Sequence, residues 1–107
     1  MADEATTTFR VLEDVAAERA RQRARYGTQA LPDGTGGTFR AAGRRLSQRR
    51  CDRATSAGRV TWAHVLEEEV AEVLAETNAE LLRAELVQVA AVAVQWIEAL
   101  DRRARRG

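Results

Sequence analysis

Residues 61–100 read TWAHVLEEEVAEVLAETNAELLRAELVQVAAVAVQWIEAL, and this stretch decides the fold. Its first part predicts a helix over about 62–76, because apolar side chains recur there at helical spacing: Trp62, Val65, Leu66, Val70, Val73 and Leu74. Thr61 is suited to cap the start of that helix. Thr77 and Glu80 have the spacing of a capping box, which predicts another helix over about 78–103. We expect these two helices to pack antiparallel.

Two pairs of oxygen-bearing side chains lie on the two helices. Glu69 and Glu72 are three residues apart, as are Glu85 and Gln88, and the intervening residues run from 73 to 84. Positions three apart share a helix face, so each pair points in one direction. Carboxylate and amide oxygens are ligands that Mg²⁺ prefers, and a cation would relieve the repulsion between the acids.

The rest of the chain extends the helical pattern, so we expect an all-α protein. Helices are predicted over roughly 8–25 and 39–57, with a turn-rich loop at 27–38 between them. A length of 107 residues favours one domain over 1–107, with frayed tails at 1–8 and 104–107. The last helix is apolar almost all round between 86 and 97, which predicts burial on most sides and a subunit interface.

The composition limits the classes of binding partner and the cellular compartment that we expect for the protein. All 17 basic residues are arginine and the net charge is +1, so neither nucleic acid nor a membrane is expected as a partner. The charges are segregated, however: arginines dominate 40–59 and glutamates dominate 67–85. This arrangement suits a polyphosphate that arrives with a metal, and it equally suits ordinary salt bridges within or between subunits. A single cysteine and the absence of an apolar leader predict a cytoplasmic protein.

Two sets of motifs carry a resemblance to a known family. Leu66-Glu67-Glu68-Glu69-Val70-Ala71-Glu72-Val73, followed by Leu82-Arg83-Ala84-Glu85-Leu86-Val87-Gln88-Val89, resembles the MazG-like all-α nucleoside triphosphate pyrophosphohydrolases. The family pattern is E-E-x-x-E, a spacer and E-x-x-D, so Gln88 stands where the family has aspartate. Tyr26-Gly27-x-Gln29 and Leu31-Pro32-Asp33-Gly34-Thr35-Gly36 are similar to a segment of small actinobacterial and phage members. The resemblance covers about residues 9 to 103.

The resemblance implies a four-helix MazG-like bundle that assembles as a dimer or a dimer of dimers. It also implies hydrolysis of a nucleoside triphosphate, either NTP or dNTP, to the monophosphate and pyrophosphate with Mg²⁺, or Mn²⁺ in its place. The catalytic candidates are Glu68, Glu69, Glu72 and Glu85. The metal ligands would be Glu69, Glu72, Glu85 and Gln88. Substrate binding would use Tyr26 and Gln29 for the base, and Arg45, Arg49 and Arg53 for the phosphates.

Two alternatives remain open from the sequence. One is a MazG-like protein that binds nucleotide with weak turnover or none, because an amide at Gln88 brings no negative charge. The other is a helical module that contacts DNA or protein through the arginine-rich helix, with the glutamates as a solvated face. His64 is expected at the surface or an interface, and Cys51 as an inert small residue.

Overall fold

The computed structural model describes residues 3–107, and all the regular structure in that part of the chain is helical. Four helices follow one another: α1 (Glu4–Tyr26), α2 (Thr38–Ser56), α3 (Trp62–Ala75) and α4 (Ala79–Arg106). The all-α prediction is therefore confirmed, together with the number of helices. The MazG-like bundle and the subunit assembly remain predictions.

The two outer helix ends extend further than the sequence pattern indicated. α1 begins at Glu4 because Asp3 caps it: an Asp3 carboxylate oxygen accepts a hydrogen bond from the Thr6 amide at 2.7 Å. The segment expected to fray is thus helical from Glu4, while Met1 and Ala2 lie outside the described residues. At the other end, α4 continues to Arg106, and its last turn is rich in arginine, which favours the helix dipole.

α3 begins where the sequence predicted, and its cap involves an unexpected partner. The Thr61 hydroxyl accepts from the His64 amide at 3.2 Å, while the His64 ring accepts from the Thr61 amide at 3.1 Å. His64 therefore fills the third position of a capping box, where glutamate or glutamine is usual. Its side chain is engaged in capping the start of α3.

The capping box predicted for α4 at Thr77 and Glu80 was wrong. Asn78 takes the capping position instead, and its side-chain oxygen accepts from the Leu81 amide at 3.0 Å. The amides of Thr77 and Asn78 both donate to the Glu76 carboxylate, at 3.0 and 3.1 Å. Glu76 thus holds the connection between α3 and α4, and this fixes the helix start one residue later than a Thr77 cap would.

The chain divides into two compact units, which are described separately. Unit 1 comprises the chain up to Pro32 together with Val94–Gly107, and unit 2 comprises Asp33–Ala93. In unit 1 the Thr8 hydroxyl donates to the Glu98 carboxylate at 3.1 Å, which joins α1 to the second half of α4. Val11 and Val94 are the buried apolar residues of this unit.

Unit 2 contains α2, α3 and the first half of α4. α2 packs against α3. Its buried apolar side chains come from all three helices: Cys51, Val73 and Leu82. This short list indicates that the packed core of unit 2 is small.

The middle of α4 is more exposed than the sequence indicated. Leu86 is 48% exposed, Val87 is 54% exposed, and Gln88 is exposed as well. Burial on most sides is therefore wrong for the single chain, because one side of this helix packs and the remainder forms apolar surface. In the described part of the chain, no helix is long and apolar enough to cross a membrane.

Candidate acidic site on α2, α3 and α4

The site is built on one face of α3. Glu68 and Glu72 are four residues apart and share one side of α3, and Glu76 follows four residues later as the C-cap residue of the helix. All three are half-buried. Glu68 and Glu72 are in contact with side chains of α2, so this acidic face is turned towards the neighbouring helices rather than fully towards solvent.

Two side chains of α2 hold Glu72. The Gln48 amide group donates a hydrogen bond to one carboxylate oxygen, and an Arg44 guanidinium nitrogen lies 3.9 Å from the other. Gln48 and Arg44 are four residues apart and therefore share a face of α2. Both oxygens of Glu72 are thus oriented from the α2 side.

Glu85 is the most unusual acid of the group. Burial raises the pKa of its carboxyl group, the neighbouring carboxylates Glu76 and Glu72 raise it further, and so does a hydrogen bond to Glu76 that favours the protonated form, while Arg44 acts in the opposite direction. When Glu85 is ionised, its buried Oε2 atom has no hydrogen-bond partner, whereas the protonated carboxyl group can share its proton with Glu76. A buried acceptor without a partner costs stability unless something fills the position, so this oxygen has an unused capacity to bind a proton or a cation.

The pKa of Glu76 is shifted in the opposite direction from that of Glu85. The backbone amides of Asn78 and Thr77 donate to its carboxylate and hold its pKa below the ordinary value, and Arg44 favours the same charged form. The two acids therefore differ in protonation: Glu76 stays ionised, and Glu85 retains its proton to a higher pH. The difference comes from their surroundings: the carboxylate of Glu76 accepts hydrogen bonds from backbone amides, whereas that of Glu85 is desolvated.

The two remaining acids of the first motif lie in different surroundings. Glu68 accepts a hydrogen bond from the Cys51 thiol, and this contact, aided by burial, raises the pKa of the thiol. Glu69 is half-buried, and burial together with its neighbours Glu68 and Glu72 raises the pKa of its carboxyl group.

Within residues 3–107, no three His, Cys, Asp or Glu side chains converge closely enough to form a ready metal site.

The predicted site residues are thus only partly brought together. Glu72 and Glu85 share one group with Glu76, whereas Gln88 is exposed on α4. The predicted phosphate-binding arginines are all exposed on α2: Arg45, Arg49 and Arg53. The arginine that reaches the acids is instead Arg44.

Tyr26 and Gln29 belong to unit 1, so their predicted contact with a base remains a prediction. Tyr26 ends α1 and is 56% exposed, with the Arg25 guanidinium 5.1 Å from the centre of its ring. Gln29 is exposed in the loop that follows.

The second half of the loop is attached to the acidic site. The Gly36 amide donates to the Leu74 carbonyl at 2.9 Å, at the end of α3. Gly36 has φ +93°, and a Cβ placed there would lie 2.6 Å from the Thr77 side chain. Only glycine fits this position, because both the backbone angle and the close approach exclude a side chain. The Pro-Asp-Gly-Thr-Gly motif therefore ends against Leu74 and Thr77, the residues on either side of Ala75 and Glu76.

Three residues of the group were missed from sequence: Arg44, Gln48 and Glu76. The signal that would have found them is the pairing of two periodic faces. On α2 the spacing of Arg44, Gln48 and Cys51 marks one face, and it meets the face of α3 that carries the acids.

Comparison of the chain with protein-family models, with curated proteins and with solved structures gave no match.

Proposed function

We propose that the protein hydrolyses a nucleoside triphosphate to the monophosphate and pyrophosphate with Mg²⁺, or with Mn²⁺ in its place. In this proposal the fold is a MazG-like bundle that works as a homo-oligomer in the cytoplasm. The observation that carries the proposal is the buried Glu85 oxygen without a hydrogen-bond partner, facing Glu76 and Glu72. A protein gains nothing from such an oxygen in isolation, whereas a cation bound there would offset its cost.

The donor set fits a hard cation. Glu72, Glu76 and Glu85 supply carboxylate oxygens, and the half-buried surroundings strengthen their attraction for positive charge. Mg²⁺ is commonly held by one or two carboxylates with substrate phosphates and waters completing its shell, so a cluster of three preformed ligands is not required. When bound, the ion would neutralise the triphosphate charge that repels a nucleophile.

The protein side chains divide the remaining tasks. Gln48 and Arg44 orient Glu72, and Arg44 also offsets the negative charge of the other acids. Glu69 is our choice for the base that accepts a proton from the attacking water, because burial and its acidic neighbours raise its pKa towards the working pH. Glu68 is engaged with the Cys51 thiol, which favours a positioning role for it.

The exposed Gln88 changes one expectation. A side chain in solvent on α4 does not complete the acidic group, so we propose that Glu76 supplies the carboxylate that Gln88 lacks. Glu76 follows Glu72 by four residues at the C-cap of α3 and interacts electrostatically with Glu85. Its low pKa keeps it charged, as a metal ligand must be.

The test is release of pyrophosphate from a panel of NTPs and dNTPs with Mg²⁺, with and without EDTA. Glu72→Gln and Glu85→Gln should each lower turnover by about 100-fold or more, since both remove charge at the metal. Glu67→Gln is the matched control, because Glu67 lies on the same helix and is exposed. Equal rates in all three variants, or EDTA-resistant release, would contradict the proposal.

A second candidate function has an observation in its favour. Arg45, Arg49 and Arg53 are exposed at intervals of four residues on α2, which forms a basic stripe suited to a phosphate backbone. A DNA-binding role predicts affinity that falls steeply with salt and depends on these arginines rather than on the glutamates. Tight nucleotide binding with no product would instead indicate a MazG-like binder without turnover.

A further inference from the structure

Arg44 is a cation that acts on all three acids of the candidate site. One of its guanidinium nitrogens lies 3.9 Å from a carboxylate oxygen of Glu72. Its positive charge also favours the ionised forms of Glu76 and Glu85. In the structure, which holds no metal ion, Arg44 therefore supplies part of the positive charge that these carboxylates need.

The contact between Arg44 and Glu72 is loose. A separation of 3.9 Å is longer than a hydrogen bond, so charge alone holds the pair. The Arg44 side chain is 36% exposed, and an ion pair open to water is weak and easily broken. Gln48, in contrast, donates a hydrogen bond to the other carboxylate oxygen of Glu72. Glu72 therefore keeps one of its two partners on α2 when Arg44 moves away.

A divalent ion among the same acids would take over the role of Arg44. The ion compensates the carboxylate charge and repels the guanidinium group, so the contact with Glu72 loses its stabilisation. Phosphate oxygens that arrive with the ion are negatively charged. A guanidinium group binds phosphate through two parallel hydrogen bonds, which are stronger than a long contact with a carboxylate. Both effects favour transfer of Arg44 from Glu72 to the phosphate.

We propose that Arg44 exchanges partners: it pairs with Glu72 while the acids hold no metal ion, and it binds a phosphate group of the substrate once a divalent ion is in place. This inference rests on the proposed function. It assigns phosphate binding to an arginine beside the acids, whereas the sequence pattern had favoured the exposed Arg45, Arg49 and Arg53. Arg44 thus opposes binding of the bare ion and supports binding of the ion together with a polyphosphate.

Two probes test the exchange, because it predicts opposite changes for them. Arg44→Gln should bind Mn²⁺ alone about threefold more tightly, since a competing positive charge is gone. The same variant should bind the preformed Mn²⁺–triphosphate complex about tenfold more weakly, since a charged phosphate contact is lost. The resonance signal of free Mn²⁺ in electron paramagnetic resonance measures the first affinity, and calorimetry measures the second. An arginine that served only to orient Glu72 would change both affinities in the same direction.

Two further variants serve as controls. Arg44→Lys keeps the charge and loses the second parallel hydrogen bond, so the affinity for Mn²⁺ alone should stay near that of the parent. Its affinity for the complex should lie between those of the parent and Arg44→Gln. Arg50→Gln removes the same charge from an exposed position of the same helix and should change neither affinity. Circular dichroism checks that each variant remains helical.

The outcomes separate this inference from the proposed function. If the parent protein does not bind the complex, both are overturned. If the parent binds it, the inference alone is overturned when Arg44→Gln changes neither affinity, shifts both in the same direction, or behaves like Arg50→Gln. Should Arg44→Gln lose its helicity, Arg44→Lys decides the question: binding of the complex equal to that of the parent overturns the exchange.

Discussion

The Glu85 side chain lowers the stability of the folded protein and is also a proposed metal ligand. Its carboxyl group is desolvated, faces two other acids and has one oxygen without a partner. We expect Glu85→Gln to raise the free energy of unfolding by about 1 kcal/mol at pH 7 in EDTA, because the amide carries no charge and can donate to Glu76. Chemical denaturation of the parent and the variant measures the difference. A variant less stable than the parent would contradict this account of Glu85.

The sign of the pH dependence follows from the raised pKa of Glu85. The unfolded chain titrates near the ordinary value of 4.5, whereas the folded chain keeps the proton to a higher pH. In the window between these two values the folded state binds more protons, so the stability of the parent falls as pH rises. The advantage of Glu85→Gln should therefore be largest at neutral pH and shrink as pH falls through the window. An advantage that grows on acidification would exclude this origin.

Gly36 gives a residue-scale test of the attached loop. Gly36→Ala should destabilise the protein by about 1–3 kcal/mol, because alanine is strained at positive φ and its Cβ would meet the Thr77 side chain. Gly43→Ala is the matched control within α2, where a Cβ meets nothing and should stabilise by about 0.5–1 kcal/mol. Thermal or denaturant unfolding of both variants decides the point. Similar losses in both would indicate that the loop contact is unimportant.

At this scale the sequence predicted the kind of site better than its members. Glu72 and Glu85 could be chosen because the spacing of charged positions on a helix fixes which side they share. Gln88 could not be placed, since the exposure of an apolar helix depends on which neighbours cover it. Arg44 was missed because adjacent arginines look alike in sequence until the face of α2 that carries Arg44, Gln48 and Cys51 is matched with the acidic face of α3.

At the scale of the helices, the ends are set by side chains that compete for the same amides. Thr61→Ala should destabilise by about 1 kcal/mol because it removes the cap of α3. For α4, Asn78→Ala should cost a similar amount, whereas Thr77→Ala should cost little, since the Asn78 side chain accepts from the Leu81 amide. Denaturant unfolding of the three variants measures these costs. A larger loss for Thr77→Ala than for Asn78→Ala would reverse the assignment.

Helix positions were predictable because periodicity and glycine-rich breaks dominate this chain. The helix ends were less so, for a physical reason visible at Glu76. Its carboxylate takes the amides of Thr77 and Asn78 and so removes the basis of the predicted Thr77 cap. A local pattern cannot reveal that a side chain from the preceding helix will occupy those donors.

At the scale of the whole molecule, the all-α class followed from composition and helical spacing alone. The assembly did not, because the apolar side chains exposed on α1 and α4 show that surface is available without showing what covers it. The metal-dependent activity is likewise a proposal that rests on one group of carboxylates in unit 2.

Binding of Mn²⁺ tests that proposal most directly, because it does not require the right nucleotide to be known. Calorimetric titration of the preformed Mn²⁺–triphosphate complex into the protein should give one saturable site in the parent and in the exposed control Glu67→Gln. The same titration should give no site in Glu85→Gln, although that variant is folded and more stable. Equal binding by all three proteins, or no binding by the parent, would contradict the claim that these acids hold the ion.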